Sequence, residues 1–542
     1  MMGFSRKPKI MLSDLIQGLN LSKKCPRIAV KGMAIDSRSV MPGYLFVALK
    51  GSQKDGMQYV PQAIDRGAVA VLAEWDGVNN EAVKPIHDGV KSAIPVIGIE
   101  HLAQSLSSIA GRFYGDPSKR LTIVAITGTN GKTTCAQLYA DLFSQLQDNL
   151  QPESEGYQCG FVGTLGHGIA RIARMESAED SQISSSPKNV QPSPLTTPDA
   201  ISMQGILADL ASDGCSAVAI EASSHALVQG RISSLDLDTA VFTNLSRDHL
   251  DYHGDLNRYA NAKRELFKAA GLKNAVINID DNVGKSIVAD LDPTIRVITY
   301  SLENITADIY CRSMEFSTLG FTATIQTPWG SGEVSSSLLG KFNLYNLLAV
   351  VGAFVIQTDD SEYDLFSKVL ELIPNLSAVS GRMELVGNGN GPAVIVDYAH
   401  TPDALDKALQ ALKVHCNGAL WVVFGCGGDR DIGKRAEMGK IASKNADKVV
   451  VTSDNPRTES AKKIIDDILL GTTGDIHIDA DRRSAISFAI RAACKEDVIL
   501  IAGKGHEDYQ ILGAERLPFS DQAEARLALH KIDSAERLGG DL

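Results

Sequence analysis

Short apolar and β-branched runs recur along the chain, each bounded by Gly, Asp, Ser or Asn and followed by a stretch of helical period. This alternation of strands with helices limits the chain to parallel, doubly wound α/β sheets. Ligands of such sheets bind beyond the carboxyl ends of the strands, so the residues after each run are the first candidates for chemistry. The runs are Ala68–Ala73, Pro95–Ile99, Leu121–Ile126, Ala217–Ile220, Thr239–Thr243, Ala275–Ile279, Ala393–Val396, Trp421–Phe424, Lys448–Thr452 and Val498–Ala502.

Length and charge narrow the class of protein further. A chain of 542 residues is too long for one core at roughly 100–200 residues per domain. We predict three domains, over residues 1–117, 118–378 and 379–542. The net charge of −12 has the wrong sign for a protein whose main partner is a nucleic acid or an anionic membrane surface.

Neither the amino-terminal segment nor the cysteines point to an export route. Ser13, Asp14 and Gln17 interrupt the stretch after the basic start, so no secretory signal is predicted. The longest apolar run, Leu347–Ile356, is well short of the ~20 residues of a spanning helix. The eight cysteines show no CxxC or zinc spacing, which favours a soluble, cytoplasmic protein without disulfides.

Two polar segments, Gln147–Tyr157 and Met175–Pro194, are predicted to be mobile loops.

A glycine-rich turn follows the run Leu121–Ile126. Its residues are Thr127, Gly128, Thr129, Asn130, Gly131, Lys132, Thr133 and Thr134, and a helical stretch begins directly afterwards. Backbone N–H groups, a helix N-terminus and Lys132 suit phosphate oxygens, and the Thr133 hydroxyl suits Mg²⁺. The general phosphate-loop pattern is incomplete, because Ile126 stands at its first glycine position.

Three further candidates follow the next strands. Glu221 ends the run Ala217–Ile220, and a strand-end carboxylate facing a phosphate loop is a natural Mg²⁺ ligand. His249 follows Thr239–Thr243, and Lys263 lies on a helical stretch 14 residues later. Taken singly, Glu221 and His249 are more typical of a solvated carboxylate and a satisfied loop histidine. Lys263 taken alone is also consistent with an exposed helix lysine.

Longer strings resemble the Mur ligase family, including its members that add the third amino acid of a muramoyl peptide. They are TGTNGKTT at 127–134, EASSH at 221–225, FTNLSRDHLDYHG at 242–254, DYAHTPDAL at 397–405, FGCGGDRD at 424–431, TSDNPRTE at 452–459 and AGKGHEDYQ at 502–510. The motif IDSR at 35–38, followed by PGYLFVALKG at 42–51, resembles the amino-terminal domain of the same enzymes.

The resemblance implies a three-domain ligase with a central phosphate-loop ATPase domain and a Rossmann-like carboxy-terminal domain. ATP with Mg²⁺ would activate the D-glutamate γ-carboxylate of UDP-N-acetylmuramoyl-L-alanyl-D-glutamate as an acyl phosphate, and the amine of meso-2,6-diaminopimelate would attack it. The implied catalytic residues are Lys132, Glu221, His249 and Lys263. Lys263 would carry a carbamate and bind metal together with Thr133, Glu221 and His249.

The resemblance also implies three groups of binding residues. Beside residues 128–134, the nucleotide would meet Asn346, Arg382, Asp397 and His400. The UDP-muramoyl-dipeptide would meet Ile35, Ser37, Gly51, Ser52, Gln53, Lys54, Thr196, Thr197, Ser223, Gln229 and Arg231. Diaminopimelate would meet Arg430, Asp454, Asn455, Pro456, Arg457, Gly503 and Glu507. Leu195 departs from the family pattern, which has Asn before the Thr-Thr pair.

Several alternatives remain at this point. The acceptor could be L-lysine, although the family's lysine-adding members lack the arginine that matches Arg457. A folylpolyglutamate synthetase-type ligase would share the phosphate loop but would not need the motifs Asp36–Arg38 and Asp454–Arg457. A silent binding protein would not need Lys132, Glu221, His249 and Lys263 together. We expect a monomer that neither binds nucleic acid nor inserts into a membrane.

Overall fold

A computed structural model describes residues 10–51, 54–75, 94–150, 158–170, 190–357, 363–387 and 391–539. The described chain divides into two compact units. The first extends to Ala170 and continues from Val190 to Ile298, and the second begins at Thr299. The domain boundaries near residues 118 and 378 stay predictions.

The first sheet of the first unit lies near the amino terminus. A short antiparallel pair, β1 (Ile10–Met11) and β2 (Ala29–Val30), precedes it. Four parallel strands follow in spatial order, namely β3 (Gly32–Ala34), β4 (Tyr44–Ala48), β5 (Ala68–Trp75) and β6 (Val96–Glu100). In β4, Leu45 and Val47 enter one core cluster and Phe46 and Ala48 another. Side chains alternate across a strand, so both faces of this sheet are buried.

The second sheet of the first unit carries the phosphate loop. Its strands are β7 (Thr122–Thr127), β8 (Gln158–Gly163), β9 (Gly166–Ile169), β10 (Cys215–Glu221), β11 (Thr239–Phe242) and β12 (Asn274–Asn278). They lie in the order β12-β11-β7-β10-β8-β9. All pairs are parallel except the hairpin β8–β9. The carboxyl ends of β7, β10 and β11 therefore lie at one edge of the sheet.

Nine helices cover these sheets in the described part of the first unit. They are α1 (Leu12–Leu15), α2 (Val60–Asp65), α3 (Leu102–Tyr114), α4 (Lys132–Leu150), α5 (Ala200–Ser212), α6 (Ser224–Val228), α7 (Leu250–His253), α8 (Leu256–Arg264) and α9 (Asn282–Asp290). Asp199, Asp255 and Asp281 accept backbone N–H groups at the starts of α5, α8 and α9. Such caps satisfy N–H groups that have no partner inside a helix.

The second unit begins inside a strand that is parallel to the next one, and continues with an antiparallel meander and two helices. The strands are β13 (Arg296–Ser301), β14 (Ile309–Ser317), β15 (Gly320–Thr327) and β16 (Gly330–Ser336), of which the last three form a meander. The helix α10 (Lys341–Val355) is buried along most of its length, and α11 (Tyr363–Leu372) follows it. Continuous apolarity in α10 agrees with a helix enclosed on all sides.

A doubly wound sheet of six strands completes the second unit. Its strands are β17 (Glu384–Val386), β18 (Ala393–Asp397), β19 (Leu420–Phe424), β20 (Lys448–Val451), β21 (Ile476–Ile478) and β22 (Val498–Ala502), in the order β17-β18-β22-β19-β20-β21. Only the edge strand β17 is antiparallel among the pairs of this described sheet. The helices are α12 (Pro402–Lys413), α13 (Gly433–Asn445), α14 (Ala461–Leu469), α15 (Arg482–Ala492) and, after the hairpin β23 (Tyr509–Leu512) and β24 (Glu515–Pro518), α16 (Asp521–Gly539).

The architecture confirms the predicted α/β class, and each of the ten predicted runs coincides with or overlaps a strand. One prediction is wrong: Gln147–Leu150 belongs to α4 and not to a loop. Gln147–Leu150 contains neither glycine nor proline, so no residue in it breaks the helix. Most of Met175–Pro194 lies outside the described residues, and Gln191 pairs with His167. None of the described helices combines the length and apolarity needed to cross a membrane.

Candidate active site

The phosphate loop connects β7 to α4 in a conformation that needs its glycines. Gly131 has a φ of +88°, in the left-handed region that favours glycine. A Cβ atom at Gly128 would collide with the Oγ1 atom of Thr243. The loop thus passes close to the end of β11, and its backbone faces the carboxyl edge of the sheet.

Asn244 holds this loop from the neighbouring strand end. Its carbonyl accepts the N–H of Thr129 at 2.8 Å, and its side-chain oxygen accepts the N–H of Asn130 at 3.0 Å. The Thr243 hydroxyl donates to the Asn130 carbonyl at 2.6 Å. These bonds order the loop before any ligand binds, which lowers the entropy cost of binding.

Two lysines converge on one carbonyl of the loop. Lys132 Nζ lies 2.8 Å from the Gly128 oxygen and 2.9 Å from that of Thr129. Lys263 Nζ, on α8, lies 2.6 Å from the same Gly128 oxygen. Two ammonium groups so close repel each other, and a bound anion or the loss of one proton relieves that repulsion.

Lys263 is the more enclosed of the two lysines. Its side chain is 1% exposed, and its Nζ atom lies 4.5 Å from the centre of the Tyr259 ring. Burial, followed by the charge of Lys132, holds the pKa of the Lys263 amine well below its usual range, against an opposing effect of Asp248. Burial therefore shifts the balance at this position towards the neutral amine.

Glu221 ends β10 beside the same helix terminus. One carboxylate oxygen accepts the Thr164 N–H at 2.8 Å, and the other accepts the Thr164 hydroxyl at 3.1 Å. The Thr133 hydroxyl also hydrogen-bonds to Glu221. Burial raises the pKa of the Glu221 carboxyl, while Lys132 and these hydrogen bonds oppose the rise. A carboxylate joined to a hydroxyl at a phosphate loop is an oxygen donor pair that fits Mg²⁺.

His249 lies on the exposed side of the site. It has a φ of +51°, and its Nε2 atom is 3.5 Å from Asp248 Oδ2. Its ring contacts His225 at 5.0 Å and Tyr259 at 6.1 Å between centroids. No group of three His, Cys, Asp or Glu side chains in the described chain is placed to hold a metal ion. A complete set of metal ligands at this site would thus also need Thr133 or a modified Lys263.

Five predicted substrate residues form one hydrogen-bonded network next to Glu221. The Thr197 Oγ1 atom lies 2.6 Å from the Glu221 carbonyl oxygen and 3.1 Å from Ser223 Oγ. Arg231 donates to the Thr197 carbonyl at 2.6 Å and, through two nitrogens, to Gln229 Oε1 at 3.0 and 2.7 Å. Thr196 is joined to the network through Thr164, at 3.1 Å between hydroxyl oxygens. Leu195 is exposed.

The amino-terminal candidates lie on the first sheet of the same unit. Ile35 is exposed, and Ser37 is buried with its hydroxyl donating to Gln62 at 2.7 Å. The Gly51 N–H donates to the Lys54 carbonyl at 2.9 Å, which closes a turn. Ser52 and Gln53 fall outside the described residues. Within the described chain, no hydrogen bond joins these candidates to the Thr197 network.

The second unit holds the other nucleotide candidates. The Asp397 carboxylate accepts the N–H groups of Met383 and Ala399, both at 2.8 Å, and burial raises its pKa. Arg382 lies 4.9 Å from the centre of the Tyr398 ring, and His400 contacts that ring at 4.6 Å. Asn346 is buried on α10 and donates to Asn343 at 3.0 Å.

The amino-acid candidates gather after β20 and β22. Asn455 donates to Glu507 Oε2 at 2.9 Å, and the buried Lys504 donates to Asn455 Oδ1 at 2.9 Å. Asp454 Oδ1 is 3.4 Å from Lys504 Nζ. Gly503 has a φ of +121°, and a Cβ atom there would come within 2.7 Å of Asp454 Oδ2. The structure thus brings Asp454, Asn455, Gly503 and Glu507 together.

Arg457 follows in a left-handed turn, with a φ of +52°. Its Nη1 atom donates to the carbonyls of Gly428 at 2.8 Å and Asn455 at 3.4 Å. Its Nε and Nη2 atoms donate to no described residue, so they stay available for an anion. Pro456 precedes it and accepts the Glu459 N–H at 3.0 Å. Arg430 is exposed and contacts the Asp429 carbonyl at 3.4 Å. Within the described chain it makes no hydrogen bond to Asp454, Asn455 or Glu507.

Four residues of this geometry escaped the sequence analysis. Asn244 lies in a quoted motif directly after the run Thr239–Thr243, and that position at a strand end was a usable signal. Tyr259 lies on the helical stretch that carries Lys263, four residues before it. Lys504 also lies in a quoted motif, although burial of a lysine cannot be read from it. Thr164 lies in the β8–β9 turn, where the sequence offers no signal.

Family models match three consecutive parts of the chain. "Mur ligase family, catalytic domain" matches residues 29–114, "Mur ligase middle domain" residues 126–354, and "Mur ligase, glutamate ligase domain" residues 381–505. These matches leave short gaps around residues 118 and 378.

Curated proteins and solved structures resemble the chain over nearly its full length. The UDP-N-acetylmuramoyl-L-alanyl-D-glutamate–2,6-diaminopimelate ligase of Pseudomonas putida is 45% identical, over 92% of this chain and 95% of the relative. The ligase of the same name from Coxiella burnetii is 40% identical, over 96% and 99%. A solved structure of a ligase of that name has a TM-score of 0.71 and 35% identity, covering 97% of this chain and all of the other.

Proposed function

The chain belongs to the Mur ligase family, and on that premise we propose that it is an ATP-dependent amide-bond-forming ligase of peptidoglycan precursor synthesis. It joins meso-2,6-diaminopimelate to the D-glutamate γ-carboxylate of UDP-N-acetylmuramoyl-L-alanyl-D-glutamate. The observation that carries this assignment is the chemical match between the relatives' named amino acid and the turn at Arg457. That turn offers free guanidinium donors to a carboxylate, near acidic groups suited to an ammonium ion.

We assign nucleotide binding to the loop of residues 128–134. Backbone N–H groups at the start of α4 and the Lys132 ammonium hold the phosphates. Glu221 and Thr133 would hold Mg²⁺, with His249 and a modified Lys263 as further ligands. When bound, the metal spreads the negative charge of the transferring phosphoryl group. Arg382, Asp397, His400 and Asn346 are assigned to the remainder of the nucleotide.

We further propose that Lys263 is carbamylated. Only a neutral amine adds CO₂, and the lowered pKa of the buried Lys263 amine favours that form. The nitrogen bonds to the CO₂ carbon and releases one proton. The product is an anion beside the Lys132 ammonium, so the carbamate gains an attraction at a place where a protonated Lys263 would be repelled.

The network around Thr197 is assigned to the muramoyl-dipeptide. Arg231 already binds the Thr197 carbonyl and Gln229, which fixes the plane of its guanidinium group. A fixed guanidinium plane suits a carboxylate or a phosphate. Ser37, Ile35 and the turn at Gly51–Lys54 are assigned to the UDP end of the same substrate.

The reaction then has two steps. The γ-carboxylate attacks the terminal phosphorus of ATP, which forms an acyl phosphate and releases ADP. The amine of diaminopimelate attacks the acyl carbon, gives up a proton, and expels phosphate from the tetrahedral intermediate. We place this reaction in the cytoplasm, in keeping with eight free thiols, and propose a monomeric enzyme.

The test is a ligation assay with a panel of acceptors. Phosphate release should require ATP, Mg²⁺, the UDP-muramoyl-dipeptide and meso-diaminopimelate together, with the tripeptide product identified by mass. L-lysine, other diaminopimelate isomers and a folate with glutamate serve as alternative substrates. Faster turnover with L-lysine, or ligation of glutamate to the folate, would reject the proposed substrate.

A further inference from the structure

Lys504 is buried without being one of the residues assigned to a substrate. Its side chain is 0% exposed, at the turn that follows β22. A buried ammonium group is costly unless charged or polar partners surround it. Its partners therefore indicate what it does.

Three of the partners of Lys504 are amino-acid candidates. Its Nζ atom donates to Asn455 Oδ1 at 2.9 Å and lies 3.4 Å from Asp454 Oδ1 and 3.6 Å from Glu507 Oε2. A fourth bond, to the Tyr509 carbonyl at 2.8 Å, ties it to β23. The ammonium thus lies among the groups that would face the substrate.

The Asn455 amide connects Lys504 to Glu507. Its oxygen accepts Lys504 and the Ile511 N–H at 2.9 Å each, so its nitrogen is turned towards Glu507 Oε2, also at 2.9 Å. Without Lys504 the amide would lose one of the two donors that set its orientation. Glu507 would then lose a partner of fixed direction.

The charges of this group have a simple balance. Asp454 and Glu507 contribute two negative charges, and Lys504 cancels one of them. One negative charge remains, and Asn455 links it to Arg457, because its amide binds Glu507 and its carbonyl accepts the Arg457 guanidinium. This combination matches the distal end of meso-diaminopimelate, which carries one ammonium and one carboxylate.

We propose that Lys504 is a positioning residue for the amino-acid substrate, one that orients Asn455 and Glu507 and sets the net charge of the group to one negative. This inference rests on the proposed function. Removal of the lysine takes away the cation that contacts both carboxylates directly, while the nearby Arg482 is already paired with Asp521. The excess negative charge would repel the distal carboxylate of diaminopimelate and attract the side-chain ammonium of lysine. Selectivity between the two amino acids therefore depends on a residue that touches neither.

Lys504→Met tests this role, because methionine fills a similar volume without charge. We expect the ratio of kcat/KM for diaminopimelate to that for L-lysine to fall about tenfold or more, as for the loss of a close charge pair. The KM values for ATP and for the UDP-muramoyl-dipeptide should stay unchanged. Lys462→Met, which removes an exposed lysine of α14 in the same unit, is the matched control. It should leave the kcat/KM ratio and both KM values unaltered.

The double variant Lys504→Met/Asp454→Asn separates charge from folding. It restores one net negative charge by keeping Glu507 alone, so most of the lost selectivity should return. An unchanged ratio of kcat/KM for diaminopimelate to that for L-lysine in Lys504→Met overturns the inference. So does an equal rise of the KM values for diaminopimelate, ATP and the UDP-muramoyl-dipeptide. Loss of folding that Asp454→Asn does not repair overturns it too. Failure of the wild-type enzyme to ligate diaminopimelate would instead reject the proposed function.

Discussion

Replacement of Arg457 by alanine tests the proposed preference for diaminopimelate over L-lysine. Both residues carry a Cβ atom, so the left-handed backbone at this position is strained equally and the variant isolates the guanidinium group. In the wild type, Nη1 is used by Gly428 and Asn455, which leaves Nε and Nη2 for the substrate carboxylate. Charge-assisted hydrogen bonds contribute about 1.5–3 kcal/mol each.

Two such bonds at a half-buried site should be worth about 2–4 kcal/mol in all, or roughly 30- to 1,000-fold in kcat/KM. We expect Arg457→Ala to raise the KM for diaminopimelate by a large factor, with little change for ATP and the UDP-muramoyl-dipeptide, because only one substrate loses a contact. The ratio of kcat/KM for diaminopimelate to that for L-lysine should fall. Arg457→Lys keeps the charge without the planar fork, so its KM for diaminopimelate should lie between those of the wild type and the alanine variant.

Steady-state rates of phosphate release, with each substrate varied in turn, measure these effects. A wild-type enzyme that uses L-lysine as well as diaminopimelate would remove Arg457 from the specificity role. So would an alanine variant whose preference is unaltered. A loss spread over all three substrates would instead assign the arginine to the fold of the turn.

Three further predictions concern the phosphate loop. Lys132→Ala should abolish ligation and ATP turnover with a melting temperature close to that of the wild type; near-normal turnover would contradict the assignment of the loop. Lys263→Ala should lose most of the rate and regain part of it with short carboxylates, and a mass of the folded wild-type enzyme, taken without acid or denaturant and showing an unmodified amine, would reject the carbamate. In CO₂-free buffer, Lys263→Met should raise the melting temperature. Because the pKa of this amine is lowered in the folded state, the unfolded chain binds more protons, and the gain should shrink as the pH rises towards the ordinary value of 10.5.

The strands that the sequence predicted best are those buried on both faces. Runs such as Trp421–Phe424 and Val498–Ala502 are continuously apolar because helices cover both sides of a parallel sheet. The strand Ile309–Ser317 was not predicted, since its partly exposed antiparallel pattern mixes Arg, Ser and Glu with apolar residues. Gln158–Gly163 was missed as well, because its glycines lower the strand signal.

The site was predictable to the extent that its residues follow strands. Lys132, Glu221 and Asn244 gather because β7, β10 and β11 end at one edge, which the order of strands and helices already implies. Contacts set by burial were not predictable. The meeting of Lys263 with Gly128 spans 135 residues and depends on how α8 packs, and the support of Glu221 by Thr164 depends on the β8–β9 turn.

The end of β10 couples the two halves of the proposed chemistry in the first unit. The Glu221 side chain is directed to Thr164 and Thr133 at the phosphate loop, while its backbone carbonyl is 2.6 Å from the Thr197 hydroxyl. Thr197 in turn accepts Arg231 through its own carbonyl. A single strand end therefore sets the position of the expected metal ligand and of the group that would hold the dipeptide. Because one residue makes both contacts, the covalent structure of Glu221 limits how far the expected metal ligand and the Thr197 hydroxyl can move apart.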